Sequence, residues 1–249
     1  MLVHDGPWAR DRLTFQPDVQ LLANRGYAVL QVNFRGSSGG GKRLMQSGNR
    51  AWGGAMNDDL VDAVKWAVDQ GRVDARKVAI IGRGYGGFST LMSLANDASV
   101  FSCGVDAFGP LTTATMFNAA ASERAVLTRR IGNPNDPADK DVLAKANALS
   151  SVEKIRAPVL VAHGAEDVRV KSTEVDQLVA ALEKKGQLVT VVMYLDEGAG
   201  FSRLENELDF YARVEGFFAR CLGGRSEPMP REGRVPGSKG LSRTSGTWR

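Results

Sequence analysis

The sequence predicts an α/β fold, a mostly parallel sheet with helices on both faces. Short, nearly all-apolar runs alternate along the 249 residues with longer segments of helical period. Strands that apolar are buried on both sides, as in parallel sheets. Unusual polar and glycine-bearing segments follow three of these runs, at the strand ends where parallel sheets collect their chemistry.

Taken in order, "GYAVLQVNF" (26–34) predicts a buried strand, and "DDLVDAVKWAVDQG" (58–71) a helix. In that helix Leu60, Val61, Val64, Ala67 and Val68 form one apolar stripe and Gly71 supplies a stop. "KVAII" (77–81) is the next strand, "GGFSTLMSLAND" (86–97) a helix and "FSCGVDAF" (101–108) a strand. A polar, proline-containing insertion spans about 110–150. Strand "APVLVAHG", helix "STEVDQLVAALEKKG", strand "LVTVVMYL" and helix "RLENELDFYARVEGFFARCLG" follow, with Val175, Leu178, Val179 and Leu182 on one helix face. Residues 1–224 are expected to form one domain.

The net charge of +4 is not spread evenly. Residues 223–249 hold six Lys/Arg and two Glu, and the rest has 26 of each sign. A neutral body argues against nucleic-acid binding. The tail, 225–249, is rich in Gly, Ser, Pro and Arg and is expected to stay disordered. No run approaches 18 uninterrupted apolar residues, so no membrane-spanning helix is expected. "MLVHDGPWARDR" lacks a secretory signal's basic and apolar regions. Cys103 and Cys221 lie far apart without metal-type spacing, so two free thiols, no metal and a cytoplasmic location are expected.

The stretch "KVAIIGRGYGGFST" (77–90) admits two readings. Gly82-x-Gly84-x-x-Gly87, with Asp106 24 positions after Gly82, fits a dinucleotide fingerprint. The same glycines fit a strand-turn-helix elbow, Gly-x-Ser-x-Gly, with Gly84 at the nucleophile position. Placement favours the elbow, because the motif follows an earlier strand-helix unit whereas the dinucleotide fingerprint usually opens its domain.

Colinear segments decide between them. "NRGYAVLQVNFRGSSGGGKRL", "WGGAMNDDLVDAVKWAVDQGRVD", "KVAIIGRGYGGFSTL", "HGAEDVRV" and "DEGAGF" resemble the peptidase domain of the prolyl oligopeptidase family, near its acylaminoacyl-peptidase and dipeptidyl-peptidase branches. The resemblance spans about residues 1–224 and implies an α/β-hydrolase fold, N-terminally truncated, with the first strands and the propeller absent. It implies an edge on the sheet open to a partner or a second copy.

It also implies a serine, an aspartate and a histidine in that chain order, with no cofactor. The aspartate position is Asp167. The serine position is Gly84 and the histidine position is Ala199, so two of the three groups are missing. The family's oxyanion turn, His-Gly-Gly-Pro, here reads His4-Asp5-Gly6-Pro7, and its donors would be amides near Gly6 together with that of Tyr85. Asp5 is a third departure, because an inward carboxylate opposes an oxyanion. His4 and His163, the only histidines, read as structural, as do Ser37, Ser38 and Ser89. A catalytically inactive peptidase domain, with peptide binding in its old cleft or no residual use, is the leading expectation. The alternatives are a hydrolase with another nucleophile and a dinucleotide-binding domain.

Overall fold

The structure is a computed structural model describing residues 1–230 and 233–248. In chain order it contains β1 (Leu2–Val3), α1 (Pro17–Asn24), α2 (Gly41–Ser47), α3 (Ala55–Asp69), β2 (Ala79–Arg83), α4 (Tyr85–Asn96) and β3 (Cys103–Ala107). The insertion carries α5 (Thr113–Phe117), α6 (Ala121–Arg130) and α7 (Lys140–Lys145). Then come β4 (Val159–Gly164), α8 (Ser172–Lys184), β5 (Val189–Tyr194), α9 (Leu204–Phe218) and β6 (Gly240–Ser245). The strands lie side by side in sequence order, parallel from β1 to β5, with β6 antiparallel.

Alternation along the strands divides the interior into two cores. Ile80, Val159, Val161, Val189 and Val191 face α3, α4 and α8, meeting Leu60, Val64, Leu91, Leu178 and Leu182. Ala79, Ile81, Val105, Leu160 and Val192 face α1 and α9, meeting Leu22, Phe210, Val214 and Phe217. Successive side chains of a strand point to opposite faces, so an all-apolar strand needs a helical layer on each side. Gly71 ends α3 as expected: at φ +65° it donates to Val68 O (2.8 Å) while Arg72 donates to Ala67 O (3.0 Å), the paired bonds of a left-handed C-terminal stop.

Three expectations are corrected. The segment 26–34 does not form a strand: it makes one parallel bridge, Gln31 to Leu2, with Leu2 N donating to Leu30 O at 2.9 Å. Its neighbour β1 has two residues, too short to template a ladder, and most of 26–34 stays partly exposed.

The described residues from 225 onward are not a disordered appendage. Gly240–Ser245 pairs with all six residues of β5, and Trp248 packs on Phe217 at 5.3 Å between ring centres. Backbone pairing needs an open strand edge rather than an apolar sequence, and β5 presents one. The segment also completes polar groups buried under α9: Val235 N donates to Asp209 Oδ1 (2.9 Å) and Lys239 N to Asn206 Oδ1 (2.9 Å). The boundary expected at 224/225 therefore does not separate two independent parts. Residues 231, 232 and 249 of that tail lie outside the described residues.

The cysteines are joined. Cys103 opens β3 and Cys221 lies in the π turn Ala219–Gly223 after α9, and a disulfide links them across 118 residues of sequence. Distance along the chain concealed the contact, because α9 and its following turn pack on the face of the sheet to which Cys103 belongs. Such bonds persist in oxidising compartments and are rare in the cytosol, which removes the thiol argument for a cytoplasmic location. No helix among the described residues is long and apolar enough to cross a membrane.

Candidate active site

β2 delivers the chain to a sharp turn. Gly84 sits between Arg83, the last residue of β2, and Tyr85, the first of α4, at φ +53° and ψ −119°. Its carbonyl accepts from Gly87 N (3.0 Å) and Phe88 N (3.1 Å), so the turn feeds straight into the helix. A left-handed φ between strand and helix is the geometry of an elbow. The neighbouring glycines serve packing. A side chain at Gly82 would overlap the backbone of Gly86, and one at Gly86 would overlap Val3 O.

The dinucleotide alternative fails on this geometry. Asp106, which would hold a ribose, is 1% exposed, its Oδ1 accepts from Gly109 N at 3.0 Å, and it packs against Gly87. The helix N-terminus that would receive a pyrophosphate is engaged by a side chain of the protein itself.

That side chain is Asp5. Its Oδ1 accepts from Tyr85 N at 2.7 Å and from Gly6 N at 2.7 Å. The carboxylate points inward, onto the amides that the resemblance assigns to an oxyanion. It also crowds the elbow: a Cβ built on Gly84 would come within 2.6 Å of Asp5 Oδ2 and closer to Oδ1. His4 holds this turn, with Nε2 2.9 Å from Ser37 Oγ and its ring stacked on Phe34 at 4.5 Å.

Asp167 follows β4 and is 7% exposed. Its Oδ1 accepts from Arg169 N (2.8 Å) and Val170 N (3.0 Å), while its buried Oδ2 has no partner among the described residues. Ala199 lies between β5 and α9 in a loop built around Glu197. The Glu197 carboxylate, 1% exposed, accepts from Ser202 N, Ser202 Oγ, Arg203 N and Asn206 Nδ2 at 2.6–3.0 Å. Burial raises its pKa, but these hydrogen bonds outweigh burial and hold it below the usual carboxylate range. Glu166 N donates to Glu197 O at 2.9 Å, tying the Asp167 loop to the Ala199 loop.

Asp5, Gly6, Gly84, Tyr85, Asp167 and Ala199 all line one cleft of about 210 Å³ at the carboxyl ends of the strands. The positions the resemblance assigns to the triad and to the oxyanion amides are thus brought together, while His4, Pro7, Gly82, Gly87 and Asp106 are not in the wall. Sequence reasoning missed Trp8, Trp52, Phe108, Glu123 and Arg169, which also line it. Arg169 stands two positions after Asp167 in a segment already singled out, so it was within reach. Glu123 comes from the insertion, whose sequence carries no periodic signal. His163 stays out of the cleft: 1% exposed, its Nε2 donates to Val170 O at 2.9 Å, and burial lowers its pKa.

Asp106 yields a stability prediction. Burial pushes its pKa up to about 7, against the opposing pull of the Gly109 amide. The folded state therefore keeps a proton that the unfolded chain loses above its ordinary carboxylate pKa. This contribution is fully present below pH 3.8 and is lost as pH rises to about 7. Asn at 106 does not titrate. The stability of Asp106→Asn relative to the parent should therefore improve by about 4 kcal/mol between pH 4 and pH 8. Urea unfolding at the two pH values measures this, and a constant difference would contradict it.

The family model described as the prolyl oligopeptidase family matches residues 13–225. Dipeptidyl aminopeptidase BIII of Pseudoxanthomonas mexicana is 47% identical over 236 residues, covering 93% of this chain and 34% of that protein. Inactive dipeptidyl peptidase 10 of Mus musculus is 27% identical, covering 91% and 28%. A solved puromycin-hydrolysing peptidase of Mycobacterium tuberculosis superposes with a TM-score of 0.80 at 25% identity, covering 91% of this chain and 34% of that one. The chain thus spans about a third of the length of the curated relatives it matches, and its fold is that of an α/β-hydrolase peptidase.

Proposed function

We propose that this chain, which belongs to the prolyl oligopeptidase family of serine peptidases, keeps the family's scaffold without its hydrolytic chemistry and binds peptides in the old cleft. The observation that carries this reading is the position of Asp5. Peptide hydrolysis by this fold needs a nucleophile at the elbow, a base beside it, and amides free to receive negative charge. Gly84 has no side-chain oxygen, Ala199 has no base, and the Asp5 carboxylate already takes the Tyr85 and Gly6 amides. An approaching oxyanion would meet a negative charge instead of donors. The similarity to a relative named as inactive supports the reading.

A hydrolase with another nucleophile is the second reading. Its best pair is Ser37 with His4, whose atoms lie 2.9 Å apart. Ser37 is 0% exposed and so out of reach of a substrate, and Ser89, also 0% exposed, is bonded to Asn57. Dinucleotide binding has lost its geometry. A location in an oxidising compartment, rather than the expected cytoplasm, fits the Cys103–Cys221 bridge. A fluorophosphonate probe tests the main reading: no serine should be labelled, and stoichiometric labelling of any serine would overturn it.

A further inference from the structure

The Asp167 carboxylate is half satisfied. The two loop amides take Oδ1, and Oδ2 is buried without a partner among the described residues. A buried, unpaired carboxylate oxygen is costly, and it favours any N–H donor able to reach it, a cationic one most. Asp167 and Ala199 line the same cleft, and Ala199 ends at a methyl group that cannot donate.

The rest of the cleft has the matching charge. Asp5, Asp167 and Glu123 place three carboxylates in its wall, against one guanidinium, Arg169, which pairs with Glu123 at 3.9 Å. Trp52 and Phe108 line the same wall. A site that in this family serves a developing oxyanion has here become a site of negative potential.

We propose that the cleft is a receptor for a flat cationic N–H donor of the imidazolium or amidinium class, held by Asp167 Oδ2 in a wall that also carries Asp5. This deepens the peptide-binding reading above and rests on it: the ligand group would be a histidine or arginine side chain of a bound peptide, or a free base of the same chemistry. The ring of the ligand would lie where this chain has only the Ala199 methyl, and its N–H would complete the carboxylate.

The test is calorimetric and NMR titration of the whole chain with 4-methylimidazole at pH 6, where imidazole-type bases are largely protonated. A dissociation constant on the order of 1 mM is expected, a scale typical of a ligand this small. Asp167→Asn keeps an oxygen for the Arg169 and Val170 amides, so the loop should hold, yet binding should weaken at least 10-fold. Ala199→His should abolish binding by placing the same ring in the chain. Tetramethylammonium, a cation without N–H, should bind at least 10-fold more weakly. Benzamidine in place of 4-methylimidazole distinguishes amidinium from imidazolium preference, and binding of either supports the site. A peptide carrying an internal histidine should compete if the source is a peptide, whereas competition by the free base alone assigns a small-molecule ligand. The proposal is overturned if neither base binds at 50 mM, if Asp167→Asn binds equally well, or if tetramethylammonium binds as tightly. Fluorophosphonate labelling reports on a nucleophile and this titration on a carboxylate, so either reading can fail without the other.

Discussion

The triple variant Asp5→Gly, Gly84→Ser, Ala199→His should hydrolyse an activated ester at least 10³-fold faster than the parent, whereas Gly84→Ser with Ala199→His alone should stay near the parent rate. Triad members act as a unit worth on the order of 10⁶-fold in turnover, which sets the ceiling. The floor is set by Asp5. A side chain added at residue 84 would run into the Asp5 carboxylate, which sits within 2.6 Å of the Cβ position and holds the Tyr85 amide at 2.7 Å. Losing even one such donor costs about 10²- to 10³-fold. Glycine at residue 5 clears both the nucleophile and the amide. The elbow turn is formed, Asp167 Oδ2 has no partner among the described residues, and Asp167 and residue 199 line the same cleft as Gly84. Initial rates with a nitrophenyl ester and labelling by a fluorophosphonate measure the outcome. Equal rates for the double and triple variants would show that Asp5 is not the obstruction.

Breaking the Cys103–Cys221 bridge should cost about 5 kcal/mol, the chain-entropy value for a closed loop of this length. For a chain of this size that lowers Tm by roughly 10–20 °C. Replacing both residues, Cys103→Ala and Cys221→Ser, avoids leaving a reactive thiol in the core. The bridge anchors the turn after α9 to the start of β3, so the C-terminal half of α9 and the β6 segment beyond it should lose hydrogen-exchange protection first. Thermal unfolding and thiol titration of the unreduced protein in denaturant check both points. Two reactive thiols before reduction would dispose of the bridge.

Much of this was legible in the sequence because it is local. The apolar strands and striped helices announce a parallel sheet, since a side-chain period of two or 3.6 is a property of neighbouring residues. Gly71 announced its own helix end. The positions of Gly84, Asp167 and Ala199 followed from a colinear resemblance, and the structure brings all three to one cleft. The inward turn of Asp5 could be raised only as a condition, because the direction of a side chain depends on what surrounds it.

The sequence by itself therefore determined the α/β layering, because it is written in the identity and spacing of nearby residues, and the colinear resemblance it carries marked out Gly84, Asp167 and Ala199. The tertiary structure alone decided that Asp5 takes the Tyr85 amide, that Asp167 Oδ2 lacks a partner among the described residues, that Cys103 meets Cys221, and that a Gly- and Ser-rich tail completes the sheet edge. Each of these is a contact between residues 46 or more positions apart, or the lack of one. Chain folding brings such residues together through the packing of whole elements, which no local pattern records.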